Sequence, residues 1–232
     1  MDTVPSRVVV LSGAGLSAAS GVPTFRGAGG LWEGHAVEDV ATPEAWRRDP
    51  ELVRRFYDAR RSALTGVVPN AGHRALVRLQ AAWGTERVLL VTQNIDGLLG
   101  VAGAQEVLEM HGALRKLRCS ASEGHPWVDI VGDQDRTARC ACGAPLRPAV
   151  VWFGEVPLYM PRITAALAAC QLFLSVGTSG LVYPAAGFVR LARQVGARCV
   201  EVNPAPVGGP FHEVIAEGGE TALPRLVAAL LA

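Results

Sequence analysis

The sequence predicts an α/β fold: a Rossmann-like, mainly parallel sheet with helices on both faces. Three observations predict it. Four short, apolar, β-branched-rich runs stand out, Val8–Leu11, Val88–Thr92, Leu172–Val176 and Cys199–Val202. Segments of helical periodicity separate them, the alternation of a parallel sheet covered on both sides. Each run ends in a polar or glycine-containing turn: Ser12-Gly13, Gln93-Asn94, Gly177-Thr178-Ser179 and Asn203-Pro204. Ligands of such sheets gather beyond the carboxyl ends of the strands, so the four turns are expected to converge on one crevice.

The first run leads directly into Gly13-Ala14-Gly15-Leu16-Ser17-Ala18, followed by Ser20-Gly21-Val22-Pro23. Gly13 and Gly15 carry no side chain to hold a pyrophosphate away from the backbone, whose N–H groups can cradle it. A dehydrogenase-type unit would continue into a long helix and a second strand ending in an acidic residue about 20 positions on. Here Ser20, Gly21 and Pro23 stop the helix within roughly two turns, because Pro23 lacks an N–H and disfavours helical geometry at Val22. The loop that replaces it carries Phe25 and Arg26, an apolar ring and a fixed positive charge, as a cover beside the phosphates. This points to chemistry on a nucleotide rather than to hydride transfer.

Residues 31–69, with Trp32, Trp46, Phe56 and Tyr57 among many charges, read as short helices and a loop. Asn70, after Pro69, is the expected N-cap of a helix over Ala71–Trp83. The second run closes in Thr92-Gln93-Asn94-Ile95-Asp96, two amides and a carboxylate. These can bond a carboxamide or ribose hydroxyls, or alternatively satisfy only their own loop. His111, in Glu109-Met110-His111-Gly112, lies between that loop and the cysteines and suits a general base near neutral pH. Residues 114–149 hold three of the five cysteines, with turn formers and little helical periodicity. Further helices are expected over Met160–Ala169, Tyr183–Val195 and Leu223–Ala232. The helical stretch 31–69 and the cysteine-containing, zinc-ribbon-like stretch 114–149 are read as insertions forming a smaller module. The larger part then spans about 1–30, 70–113 and 150–232 of a single catalytic domain.

Composition narrows the function classes. The chain has 232 residues, enough for one sizeable core, and 22 basic against 21 acidic residues leave a net charge of +1. No polybasic block provides a phosphate-tracking surface, so nucleic acid is not an expected partner. No apolar run reaches the roughly 18 residues of a membrane span. The first residues, Met1-Asp2-Thr3-Val4-Pro5, show no basic-then-apolar leader. Five cysteines without such a leader suggest reduced thiols or metal ligands, and a cytoplasmic monomer is expected. Cys170 and Cys199, isolated among apolar residues, read as small core residues.

Taken together, Gly13–Gly27, Thr92–Asp96, His111-Gly112, Gly177-Thr178-Ser179 and Glu201-Val202-Asn203 resemble, in order and over almost the whole chain, the sirtuins, NAD-dependent protein-lysine deacylases. Val151-Trp152-Phe153-Gly154-Glu155 looks like the segment that pairs with the substrate peptide in the class III branch common in bacteria. The resemblance implies that NAD is held by Gly13, Ala14, Gly15, Ser17 and Ala18, with Phe25, Arg26 and Trp32 in the cover. It places Gln93, Asn94, Ile95 and Asp96 at the nicotinamide and its ribose. Gly177, Thr178 and Ser179 would meet phosphate and adenosine ribose, with Asn203 and Gly219 at the adenosine half. Asn94, Asp96 and His111 are the implied catalytic residues, His111 acting as base on a ribose hydroxyl after the acyl oxygen has displaced nicotinamide. The products would be free lysine, nicotinamide and 2′-O-acyl-ADP-ribose. Val151, Phe153, Gly154 and Glu155 would contact the peptide bearing the acylated lysine.

Two features bear on metal and acyl group. Sirtuins carry two Cys-x-x-Cys pairs around structural zinc; here they read Cys119-Ser120-Ala121-Ser122 and Cys140-Ala141-Cys142. Three thiolates remain, Cys119, Cys140 and Cys142, with His125 as the available fourth ligand. The alternative is a metal-free module held by packing around Trp127. In Phe56-Tyr57-Asp58-Ala59-Arg60-Arg61, Tyr57 and Arg60 share a helix face. The class III pattern uses such a pair to read the carboxylate of succinyl- and malonyl-lysine, and Ala45 would leave room for the longer chain. The alternative is that Arg60, like Arg54, Arg55 and Arg61, belongs to a solvated face. The rival functions are an NAD-dependent ADP-ribosyltransferase sharing the cofactor site, a non-catalytic NAD- or ADP-ribose-binding module, and a dehydrogenase, which lacks its acidic residue here.

Overall fold

The computed structural model describes residues 4–24 and 34–232. In chain order these form β1 (Val8–Ser12), α1 (Gly15–Ala18), α2 (Val37–Val40), α3 (Pro43–Arg48), α4 (Pro50–Ala63) and α5 (Ala71–Trp83). Then come β2 (Val88–Thr92), α6 (Leu98–Val101), β3 (Val107–Glu109), β4 (Gly112–Cys119), β5 (Val128–Asp129) and β6 (Leu146–Val150). The chain ends with α7 (Met160–Ala168), β7 (Leu172–Val176), α8 (Phe188–Gln194), β8 (Arg198–Val202), β9 (Glu213–Ile215) and α9 (Gly219–Leu231).

Six strands make one parallel sheet in the order β3-β2-β1-β7-β8-β9. Every residue of β1, β2 and β7 is buried, which is why these runs are apolar without alternation. The two faces still divide by residue parity. Val8 and Val10 pack with Leu76 and Leu79 of α5 and Leu223 and Val227 of α9. Val9 and Leu11 pack with Ile163 and Leu167 of α7 and Phe188 and Ala192 of α8. Chain order reverses at β1, whose neighbours β2 and β7 are reached in opposite directions, so the crevice beyond Ser12 is a topological switch point.

The smaller unit joins α2, α3 and α4 to an antiparallel sheet of order β5-β4-β6. Its core gathers Val40, Ala45, Val53, Tyr57, Leu114 and Trp152. Thr42 and Asp49 cap α3 and α4 by accepting from Ala45 N and Leu52 N, with Pro43 and Pro50 in the first helical turn.

The structure departs from the sequence reading at several boundaries. The expected helix over Tyr183–Val195 begins as a 3₁₀ turn at Ala185–Gly187 and becomes α-helical only from Phe188. The terminal helix starts four residues before Leu223, at Gly219, and carries Pro224 inside it, where the proline ring withholds one backbone donor. Strands β3 and β9, three residues each and only half buried, add sheet edges that the apolar runs do not reveal. Cys170 and Cys199 are buried core residues, and burial pushes the Cys199 thiol up to about 11. Among the described residues no helix is long and apolar enough to cross a membrane.

Candidate active site

Four strand ends are stitched together by backbone hydrogen bonds that continue the sheet past its last residues. Gly13 N donates to Val176 O, Gln93 N to Ser12 O, Gly177 N to Val202 O and Asn203 N to Ile215 O, all at 2.9–3.0 Å. The loops after β1, β2, β7 and β8 therefore meet at one place. Side chains lock them further: Gln93 Nε2 donates to Thr178 Oγ1 at 3.0 Å and Asn203 Nδ2 to Thr178 O at 2.9 Å.

The glycines of the first loop serve this junction. A Cβ on Gly15 would stand 2.7 Å from Gly177 Cα, and one on Gly13 2.8 Å from Gly177 O. Gly177, at φ +57°, would in turn drive a Cβ to 2.5 Å from Leu16 N. Loop-on-loop packing thus demands Gly13 and Gly15, a constraint separate from the approach of a phosphate read from the sequence. Ala14 and Ser179 are half buried at the same junction, and Ala18 is exposed. Gly219, buried at the start of α9, closes on Leu16 and Val176, where an added Cβ would lie 3.2 Å from each. Phe25, Arg26 and Trp32 lie outside the described residues.

Under the glycine loop runs a buried polar chain. Ser17 Oγ donates to Asp96 Oδ2 at 2.7 Å and accepts from Asn94 Nδ2 at 3.1 Å. Asn94 Nδ2 also reaches Gly13 O, and Asp96 Oδ1 accepts from Leu98 N at 2.8 Å. His73, absent from the sequence reading, completes it: its Nδ1 accepts from Asn70 N and its Nε2 lies 3.3 Å from Ser17 Oγ. With Nδ1 accepting, Nε2 bears the proton and donates to Ser17. Burial, the largest influence, holds His73 below the ordinary histidine range and so neutral. The available signal was the spacing of Asn70 and His73, cap and third helical residue, which form a reciprocal capping box. A cavity of about 10 Å³, lined by His73, Asn94, Asp96 and Glu109, lies beside the chain. Burial and then the Asp96 charge raise the Glu109 carboxyl above its usual range.

His111 sits at the junction of the two sheets. Its Nδ1 is 3.1 Å from Gln93 O, and because a carbonyl only accepts, Nδ1 carries the proton and Nε2 the lone pair. Its own carbonyl accepts from Val151 N at 2.9 Å. Burial lowers the His111 pKa, partly countered by the Gln93 hydrogen bond, leaving a neutral imidazole at physiological pH. Ile95, half buried, packs against the core of the smaller unit beside it.

Segment 151–155 is a turn after β6. Phe153 N donates to Ala41 O, Gly154 adopts φ +90°, and Glu155 accepts from Trp152 N while pairing with Arg147. The Glu155 side chain is thus committed to the turn. Trp152 Nε1 donates to the hydroxyl of fully buried Tyr57 at 3.0 Å. Burial pushes the Tyr57 phenol well above its ordinary range. Arg60 is 8% exposed, with its guanidinium 5.9 Å from the Phe56 ring centroid, and does not belong to a solvated face. Arg61, grouped with the solvated arginines from sequence, is also buried and paired with Asp58. Ala45 is completely buried in the first turn of α3.

The three cysteines and His125 converge. Cys119 Sγ lies 3.6 Å from Cys142 Sγ, Cys140 Sγ lies 3.1 Å from His125 Nδ1, and all four donor atoms fall within 4.8 Å of one another. Ligand atoms around tetrahedral zinc, with Zn–S of about 2.3 Å, are spaced about 3.8 Å apart. The donor set therefore fits structural zinc. Hydrogen bonding to His125, then to the Ala121 amide, draws the Cys119 thiol down to about 6, toward the thiolate that binds metal.

Comparison with known proteins agrees with this geometry. The Sir2 family model matches residues 13–184. A protein of Escherichia coli described as NAD-dependent protein deacylase is 53% identical over 97% of this chain and 82% of its own length. A crystal structure of a Sir2 homologue in complex with NAD superposes with a TM-score of 0.88 at 32% identity, covering 98% of this chain and 91% of that one. A mutant Sir2 homologue in complex with 2′-O-acetyl-ADP-ribose superposes with a TM-score of 0.86 at 32% identity, covering 97% and 92%.

Proposed function

The chain belongs to the Sir2 family, and on that premise we propose that it removes acyl groups from lysine side chains of proteins, with NAD as the acyl acceptor. Acetyl-lysine and the carboxylate-bearing succinyl- and malonyl-lysine are its substrates, and free lysine, nicotinamide and 2′-O-acyl-ADP-ribose its products. We read it as a cytoplasmic monomer, a setting that suits its five unpaired thiols.

The observation that carries the reading is the His111 tautomer. Gln93 O fixes the proton on Nδ1, so Nε2 is the basic nitrogen of an imidazole kept neutral by burial. A base in that state removes a hydroxyl proton near neutral pH without itself first losing one. The groups present fit NAD: a glycine cradle at the switch point, amides Gln93 and Asn94, and carboxylate Asp96. Gly13, Ala14, Gly15, Ser17, Ala18, Gly177, Thr178, Ser179, Asn203 and Gly219 would hold its phosphates and adenosine half, with Phe25, Arg26 and Trp32 as cover. Gln93, Asn94, Ile95 and Asp96 would hold the nicotinamide half. When bound, NAD supplies a ribose carbon that takes up the acyl oxygen as nicotinamide departs.

Asn94 and Asp96 are pre-set for this work. Ser17 Oγ and Leu98 N donate to the two Asp96 oxygens and fix the carboxylate, and Ser17 and Gly13 O orient the Asn94 amide. Tyr57 and Arg60 would receive the far carboxylate of a succinyl chain as hydroxyl and guanidinium donors. Zinc, held by Cys119, His125, Cys140 and Cys142, would tie the end of β4 to the turn that precedes β6 and take no part in the chemistry.

Mass spectrometry of products from NAD with acetyl-lysine and succinyl-lysine peptides tests the reading. Nicotinamide, deacylated peptide and acyl-ADP-ribose should form in equal amounts. ADP-ribosylated peptide would establish a transferase in its place.

A further inference from the structure

Helix α4 buries two neighbouring stripes, about 100° apart around its axis. Tyr57 and Arg60 lie on one, and Asp58 and Arg61, one position further along each time, lie on the other. The second stripe meets the loop that leads from β5 into Cys140. There Asp58, 6% exposed, is a buried acid with three partners. Its Oδ1 accepts from Arg61 Nη1 at 2.8 Å and from the Gln134 amide at 3.0 Å, while Oδ2 pairs with Arg136 Nη2 at 2.8 Å.

These contacts are continuous with the smaller sheet. Arg61 Nε donates to Leu114 O of β4 at 2.8 Å, and its Nη1 to Gly132 O at 3.0 Å. Gln134 Nε2 donates to Leu146 O of β6 at 2.8 Å. Arg136 spans two turns of α4, its Nε 2.6 Å from Glu51 Oε1 while Nη2 holds Asp58. A carboxylate so enclosed cannot shift without breaking the buried Arg61 pair and the bond from the Gln134 amide, a costly outcome in a desolvated place, and without releasing Arg136 to Glu51 and solvent. The axial position and rotation of α4 are therefore set at Asp58, one residue from Tyr57 and two from Arg60.

We propose that Asp58 is a positioning residue for acyl-group selection: it anchors α4 on the 132–136 loop so that Arg60 and Tyr57 stand at the depth a carboxylate-terminated acyl chain requires. The inference rests on the carboxylate-reading role of Tyr57 and Arg60 given above. Acetyl-lysine, which ends short of Arg60, is indifferent to the anchor. Asp58 acts through the protein and touches no reacting atom.

The test uses the full chain in three variants. Asp58→Asn keeps the volume and the Oδ1 acceptor for Gln134 N but removes the charge. Arg136→Gln removes the same ion pair from its half-exposed end, and so perturbs folding less. The third variant combines them. For each single variant, KM for a succinyl-lysine peptide should rise about 5–20-fold, the effect of loosening one charge-assisted contact, with kcat held within about two-fold. Acetyl-lysine parameters should stay within about two-fold. The double variant should lose less than the two single losses multiplied together, because the Asp58–Arg136 link is common to both. Equal losses on the two peptides, a fall in kcat alone, no change in either, or additive losses in the double variant would each overturn the proposal. Arg60→Met, assayed alongside, separates this from its premise. If that variant loses no succinyl preference, the reading of the acyl pocket fails; if it does and Asp58→Asn does not, only the anchor fails.

Discussion

Ser17 donates to Asp96 at 2.7 Å, joining α1 to the loop after β2 across 79 positions of chain. The same hydroxyl oxygen receives Asn94 and faces the protonated nitrogen of His73. Ser17 is thus both donor and double acceptor, and its three partners reach one another through it. Such buried chains are rigid when every member is satisfied and costly when one is removed.

Ser17→Ala is expected to leave the Asp96 Oδ2 position without this donor and the His73 Nε2 proton without this acceptor. The cost should be about 2–4 kcal/mol at the site, seen as weaker NAD binding by at least about ten-fold in calorimetry. A normal dissociation constant would show that the chain does not order the cofactor loop.

Protonation gives a second handle, through stability. His73 and His111 both have folded-state pKa values below the ordinary histidine value, chiefly because of burial. Below about pH 6.5 the unfolded chain binds protons at these positions that the folded chain refuses. Their stabilising effect is therefore complete above that pH and is lost progressively as pH falls through it toward the depressed values. Thermal unfolding at pH 7.5 and 5.5 should show a lower Tm in acid, with a smaller drop for His111→Ala, which removes one of the two groups. An equal drop in both proteins would contradict the assignment for His111.

The sheet was legible because its strands are buried on both faces and so are apolar throughout. Val8–Leu11 and its three counterparts needed no long-range information to recognise. The polar turns at their ends located the crevice for the same reason: Gln93, Asn94 and Asp96 interrupt apolar sequence at the carboxyl end of β2. Half-buried edges were not legible, since Val107–Glu109 and Glu213–Ile215 are too short for a pattern. His73 was hidden by its place in an ordinary amphipathic helix, where only the capping arithmetic with Asn70 marks it. The sequence shows only one reason for Gly13 and Gly15; a second, the close backbone of Gly177, lies 164 and 162 positions further on. Arg61 and Asp58 were invisible as a pair because burial of a charged helix face depends on a loop more than 70 residues away.

Metal analysis addresses the cysteine cluster. Purified protein should hold about one zinc per chain, and Cys142→Ala or His125→Ala should lower that content and the Tm together. Chelation should destabilise the wild type and leave the depleted variants little changed. A folded, active protein without zinc would mean that packing alone holds the module.

Arg60→Met keeps much of the side-chain volume and removes every donor along with the charge. Leaving a bound carboxylate unpaired costs about 2–5 kcal/mol, so kcat/KM for desuccinylation should fall by roughly 30-fold or more. Deacetylation should change by only a few-fold. Equal losses would assign Arg60 to the fold or the cofactor site.

We propose His111, held as the Nδ1–H tautomer by Gln93, as the base of the acyl transfer to NAD. The most direct measurement is acyl-ADP-ribose formation by His111→Ala, with NAD affinity determined on the same sample. Turnover should fall by about two to four orders of magnitude, with NAD binding within a few-fold of wild type. Near-normal acyl-ADP-ribose formation by that variant would contradict that role.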